Sequence, residues 1–239
     1  MARSNGAWVA AIAALGALGL GGAGRQLVHP DTQSAAAMRE HYADAVAMHT
    51  AVIKGDLAGV SLAAHGLTEY TAPPGMPDRS DARVAEIRQA ARDASAATTI
   101  VSAATASAVM LNACGQCHVL TGTLPVISLR PITQLGGLVG HMLEHQHATD
   151  QIFQGLVTPS ESKWRDGWRA FAVAPLKPAD LRVSGEARRT LMQTEERMHR
   201  LATDAAQATD ARARANYYGM LLAGCADCHS KSKTWGPGN

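Results

Sequence analysis

The pentapeptide C-x-x-C-H occurs twice, as Cys114-Gly115-Gln116-Cys117-His118 and as Cys225-Ala226-Asp227-Cys228-His229, and the two copies use every cysteine in the chain. On a helix the two thiols and the imidazole fall at i, i+3 and i+4, which is one face. That spacing lets two thiols add across the vinyl groups on one edge of a porphyrin while the adjacent imidazole reaches the iron. The motif is read as covalent attachment of c-type haem. Two covalently bound haem c groups are therefore expected, with Cys114, Cys117, Cys225 and Cys228 as thioether donors. His118 and His229 are the expected proximal iron ligands.

Other uses of C-x-x-C fit less well. A thiol redox motif belongs beside a βαβ pattern, and none is present. A zinc ribbon pairs its two C-x-x-C units across roughly 15 to 20 residues, whereas Cys114 and Cys225 stand 111 apart. A disulfide framework would leave both histidines without a purpose.

The rest of the composition points to helices. Aromatic residues make up only 4% of the 239, alanine is abundant and β-branched runs are scarce, so an all-α fold is expected. The formal net charge is +2 with no basic stripe, which gives nucleic acid no electrostatic footprint. Near the N-terminus, Arg3 precedes an uncharged Ala/Leu/Gly-rich stretch from Ala7 to Gly24, and Arg25 resumes polar sequence. Residues 1–30 read as an export signal or membrane anchor. Both readings put the haems in the periplasm, or on the extracytoplasmic face of a membrane.

The chain also repeats itself. Met38-Arg39-Glu40-His41 returns as Met142-Leu143-Glu144-His145, each followed by an apolar-periodic stretch, a glycine near its end (Gly55, Gly155), a short helical stretch and a Pro/Gly loop. Each unit closes on a helix carrying C-x-x-C-H, so two copies of one module are expected over 31–131 and 132–239. Periodicity predicts helices near 34–54, 56–70, 80–95 and 98–118, then 136–157, 160–173, 184–204 and 208–230. Four helices per copy make a four-helix bundle. The junction falls near 125–137, where Pro125, Pro131, Gly136 and Gly137 interrupt the pattern.

Only ten residues follow His229, too few to supply a second iron ligand from downstream. The distal face of that haem must be covered from upstream, and the first helix of the module, antiparallel to the last, is the candidate. With the motif in this C-terminal position, the stretches Ala51-Val52-Ile53-Lys54-Gly55-Asp56 and Tyr218-Gly219-Met220-Leu221-Leu222-Ala223-Gly224-Cys225 resemble the cytochrome c-prime family. The resemblance covers both halves. It implies a tandem, di-haem member in which each bundle binds haem on its fourth helix and presents a first-helix side chain to the distal face.

Met38 and His41 share the inward stripe of the first helix with Ala45, Met48 and Val52; Met142 and His145 share that of its counterpart with Leu138, Thr149, Ile152 and Leu156. The resemblance implies Met as distal ligand, since six-coordinate relatives use a first-helix Met about as far before the glycine as Met38 is before Gly55. An inward histidine is costly to bury without a role. His41 or Met38 for the first haem, and His145 or Met142 for the second, are both open. Of the other histidines, His49 and His65 lie off the stripe, His141 and His147 flank the candidate ligand, and His29 and His199 read as surface or linker residues. Trp164 and Trp168, four apart, read as packing anchors.

Filled axial positions in rigid bundles predict an electron carrier serving extracytoplasmic redox proteins or a membrane electron-transfer complex, without catalytic residues of its own. The family resemblance also implies an alternative, a five-coordinate gas-binding or sensing haem. A di-haem peroxidase is a third reading, although such enzymes resemble paired domains with the motif near the N-terminus.

Overall fold

The structure, a computed structural model, describes residues 32–73, 76–129, 131–132, 135–173, 176–181 and 185–231. The expected N-terminal export or anchor segment and His29 lie outside the described residues. Among those residues there are eight α-helices and no strand, and the fold is all-α. The helices are α1 (Thr32–Lys54), α2 (Leu57–Thr68), α3 (Asp81–Ser95), α4 (Ile100–Thr121), α5 (Gly137–Val157), α6 (Glu161–Ala172), α7 (Gly185–Ala205) and α8 (Ala211–Lys231). Short 3-10 turns, Asp78–Ser80 and Pro178–Asp180, precede α3 and α7.

Local chemistry sets the ends. Asp56 Oδ1 accepts from the Gly59 N–H at 2.9 Å and caps α2. Thr99 and Ser102 form a capping box on α4, which marks the break between α3 and α4. Ser160 caps α6, and the Asp210 carboxylate accepts from Ala213 N–H at the start of α8. Gly122 closes α4 in the left-handed conformation at φ +69°, where a Cβ would be strained.

Within each half, successive helices pack on one another: α1 on α2, α2 on α3 and α3 on α4, then α5 on α6, α6 on α7 and α7 on α8. The halves also interlock. α4 lies along α8, α1 packs more extensively on α8 than on α4, and the end of α5 reaches α4. Small residues permit the α4–α8 approach, with Gly219 facing Thr105, Ala104 and Ala108. One apolar core consequently runs from Ala45 on α1 to Leu222 on α8, and a smaller cluster of Leu176, Leu181 and Leu191 lies beside α7. By length and apolar composition α4 could cross a membrane, but 56% of its most apolar window is buried inside the protein, as suits a core helix.

The tryptophans anchor the second half as expected. Trp164 and Trp168 are fully buried with their rings edge to face at 5.5 Å, and Trp164 Nε1 donates to Ala205 O at 2.9 Å. Arg214 lies over the Trp164 ring and bonds Glu161 and the Ala208 carbonyl. The glycine shared by the repeats does different work in each copy. Gly55 takes φ +71° just past α1, whereas Gly155 lies inside α5, where a Cβ would stand 2.5 Å from Trp164 N.

Candidate functional site

Both pentapeptides lie near the end of their helices, Cys114, Cys117 and His118 on α4 and Cys225, Cys228 and His229 on α8. None of the four cysteines is in a disulfide. Burial first, then the neighbouring thiol, pushes both Cys114 and Cys225 up to about 12. Such thiols stay protonated at neutral pH, the opposite of what a reactive dithiol or a thiolate metal site requires.

The histidines of the motifs are held reciprocally. His118 Nδ1 lies 2.8 Å from the carbonyl oxygen of Val157, at the end of α5. His229 makes the corresponding backbone hydrogen bond to Ile53, in the last turn of α1. Ile53 and Val157 each stand twelve residues beyond His41 and His145, so the same position of each opening helix supports the other half's motif. Gly115 makes one of these contacts possible, because a Cβ there would come within 2.3 Å of Leu156 O. Burial lowers the pKa of His118 and of His229, outweighing the upward pull of their carbonyl partners. Each is therefore a neutral imidazole paired with a helix-end carbonyl. For His118 the pairing is through Nδ1, which fixes the tautomer and makes the Nε2 lone pair the one a metal would take.

Around the first motif the structure gathers His41 and Tyr70. The His41 ring meets Tyr70 edge-on at 4.4 Å. The Tyr70 phenol is raised by burial and further by Cys117 and Cys114, which places it beside both thiols. His41 Nδ1 is buried without a hydrogen-bond partner, and burial lowers the pKa of that ring. Met38 is half-buried against the main core.

Around the second motif lies a denser set. His145 stacks on Phe171 at 4.1 Å, its ring centre 4.0 Å from that of His141. Its Nε2 lies 3.6 Å from Glu195 Oε1, which His141 Nε2 and His199 Nε2 each approach to 3.0 Å. Burial, with the charge of His141, takes the His145 pKa down to about 3. Burial raises the Glu195 carboxyl, but contact with His141, then the charges of His145, His141 and His199, outweigh it and hold the carboxyl below its ordinary value. Glu195 in turn helps raise Cys225, so this cluster adjoins the second motif. Cys228 packs against the small leucine cluster, and Met142 is half-buried on α5.

Two expectations are corrected. His199 is not a surface or linker residue: it lies on α7 with 17% of its side chain exposed, against Glu195. His141 is buried in the same cluster rather than an idle flank of His145. Glu195 itself had no place in the sequence reading. Its sign was the four-residue spacing of His141 with His145 and of Glu195 with His199, one helical turn each. His49, off the inward stripe by sequence, is buried between the halves with Nδ1 2.6 Å from the Tyr218 hydroxyl. His65 is exposed on α2, as expected of an uninvolved residue.

Comparison of the sequence with protein-family models and with curated proteins, and of the structure with solved structures, finds no match.

Proposed function

We propose that this chain is a di-haem c-type cytochrome carrying electrons between redox proteins on the extracytoplasmic side of a membrane, tethered or exported by its N-terminal segment. The reading takes 31–131 and 132–239 as two four-helix modules of the cytochrome c-prime kind, interlocked because each opening helix supports the other module's closing motif. The observation that carries it is the paired seating of His118 on Val157 and His229 on Ile53. A proximal haem ligand needs a neutral imidazole held by a second partner; His118 meets that need through Nδ1, and His229 pairs with a backbone carbonyl at the same register position.

The residues present fit the group. Cys114 with Cys117, and Cys225 with Cys228, offer paired sulfurs one turn apart outside any disulfide, and the buried, unpartnered Nδ1 of half-buried His41 is a polar atom awaiting a role. Covalently held haem supplies one-electron chemistry at its iron. The protein's part is to hold the imidazoles of His118 and His229 in one orientation, to exclude water with the apolar faces of α4 and α8, and to offer a distal side chain. On α1 the edge-on contact of His41 with Tyr70 and its unpartnered Nδ1 favour it over Met38. On α5 the candidates are His145 and Met142.

Mass spectrometry of the denatured chain, with optical spectra of oxidised and reduced protein with and without carbon monoxide, tests the reading. Two haems that survive denaturation, low-spin bands and little response to carbon monoxide are expected. A chain without covalent haem would overturn the cytochrome reading. High-spin iron that takes carbon monoxide would replace the carrier with the gas-binding alternative.

A further inference from the structure

We propose that the second half binds one divalent transition-metal ion of the zinc class on His141, His145 and Glu195, with His199 beside them. The ligand atoms of the first three lie within 4.8 Å of one another. They come from two helices, His141 and His145 one turn apart on α5 and Glu195 on α7. The separations from Glu195 Oε1 to the three Nε2 atoms, 3.0, 3.0 and 3.6 Å, bracket the edge of about 3.3 Å between ligands in tetrahedral zinc geometry with bonds near 2.0 to 2.1 Å.

Hydrogen bonding alone leaves this cluster unsatisfied. Glu195 Oε1 already accepts from Leu176 N–H at 3.3 Å, and one carboxylate oxygen has room for little more. Nε2 of His141, His145 and His199 are all buried with no hydrogen bond of good geometry, which is costly for three polar atoms at one point. A cation among them would satisfy the imidazoles of His141 and His145 and the carboxylate together. Nitrogen donors with one carboxylate suit zinc and its neighbours, whereas calcium and magnesium prefer all-oxygen shells. Phe171 fixes the ring of His145, and a cleft of about 350 Å³ lined by Leu176, Met192, Gln193, Glu195, Glu196 and His199 gives an ion a way in.

The cluster does not belong to the repeat. The interval relating the two motifs sets Val84 and Arg88 opposite Glu195 and His199, and the interval relating His41 to His145 sets Ala37 opposite His141. The first half thus has none of these ligands except His41, so the site is an addition to the second half; it needs no haem, and on the di-haem reading it claims His145 and leaves Met142 as the distal candidate on α5.

The test uses the full, haem-loaded protein. After treatment with chelator and desalting, it is titrated with zinc, and bound zinc is counted by elemental analysis beside iron. One zinc per chain is expected, with His141→Ala and Glu195→Gln each weakening binding by roughly 100-fold or more. Wild-type protein that retains no zinc after gel filtration overturns the proposal without reference to any variant. Zinc retained equally by both variants also overturns it. Iron content and haem absorbance of the same samples report separately on the haem reading.

Discussion

Gly115→Ala places a methyl group where α5 meets α4, and its cost follows from the structure. The new Cβ would lie 2.3 Å from Leu156 O and 3.2 to 3.3 Å from the Pro159 ring. The first neighbour is backbone and cannot swing aside, so the end of α5 must move. Overpacking of this kind costs about 1 to 3 kcal/mol. The shift also withdraws the Val157 carbonyl from His118, a 2.8 Å contact worth about 1 kcal/mol. The variant should therefore be less stable by about 2 to 4 kcal/mol in guanidinium denaturation. Without its carbonyl partner the His118 imidazole is a poorer electron donor, so on the di-haem reading the midpoint potential of the first haem should rise while that of the second stays. The matching position, Ala226, is 1% exposed and already carries the methyl, so Ala226→Gly should leave His229 and its potential alone. A Gly115→Ala protein within about 0.5 kcal/mol of the parent with both potentials unchanged would refute the idea that α5 seats the first motif.

Two further outcomes are expected. Burial takes the pKa of His49 from 6.5 to about 4, so its neutral form is what the fold accepts. The unfolded chain then binds the extra proton, and stability is full above pH 6.5 and falls as pH drops towards 4, by about 3 kcal/mol from this residue. His49→Phe, which matches its counterpart Phe153, should flatten that slope, and denaturation curves from pH 4.5 to 7.5 that keep it would contradict the assignment. His41→Ala should turn the first haem high-spin and open to carbon monoxide, with Met38→Ala leaving it low-spin; the reverse pattern would make Met38 the ligand.

Helix positions were legible because alanine-rich periodicity and local caps are short-range information. All eight expected helices agree with the observed ones to within a few residues, and the inward stripes hold, with Ala45, Met48 and Val52 on α1 and Thr149, Ile152 and Leu156 on α5 all buried. What could not be read is which half supports which motif. Ile53 and Val157 act through backbone carbonyls, which leave no side-chain signature, and a repeat reads the same whether its copies stand apart or interlock. Glu195 escaped for a related reason. A single glutamate on α7, a helix rich in charge, resembles its solvated neighbour Glu196 until tertiary packing turns it inward.

The halves share a scaffold without being equivalent at the sites it carries. Reciprocal seating gives His118 and His229 the same second partner, a helix-end carbonyl, so on the di-haem reading the proximal side is a poor place to make the two haems differ. The distal side offers more. Among the described residues His41 meets only the Tyr70 ring, whereas His145 is drawn towards Glu195 between His141 and His199. An ion on that cluster takes His145 out of reach of iron and leaves Met142 as the α5 side chain for the second haem. Thioether ligation raises a haem potential relative to imidazole. Electrons would then rest on the second haem and leave from it, and the pair would conduct from the α4 motif towards the α8 motif. On this reasoning direction comes from the few α7 residues that the repeat does not share, while the shared helices supply only rigidity and proximity.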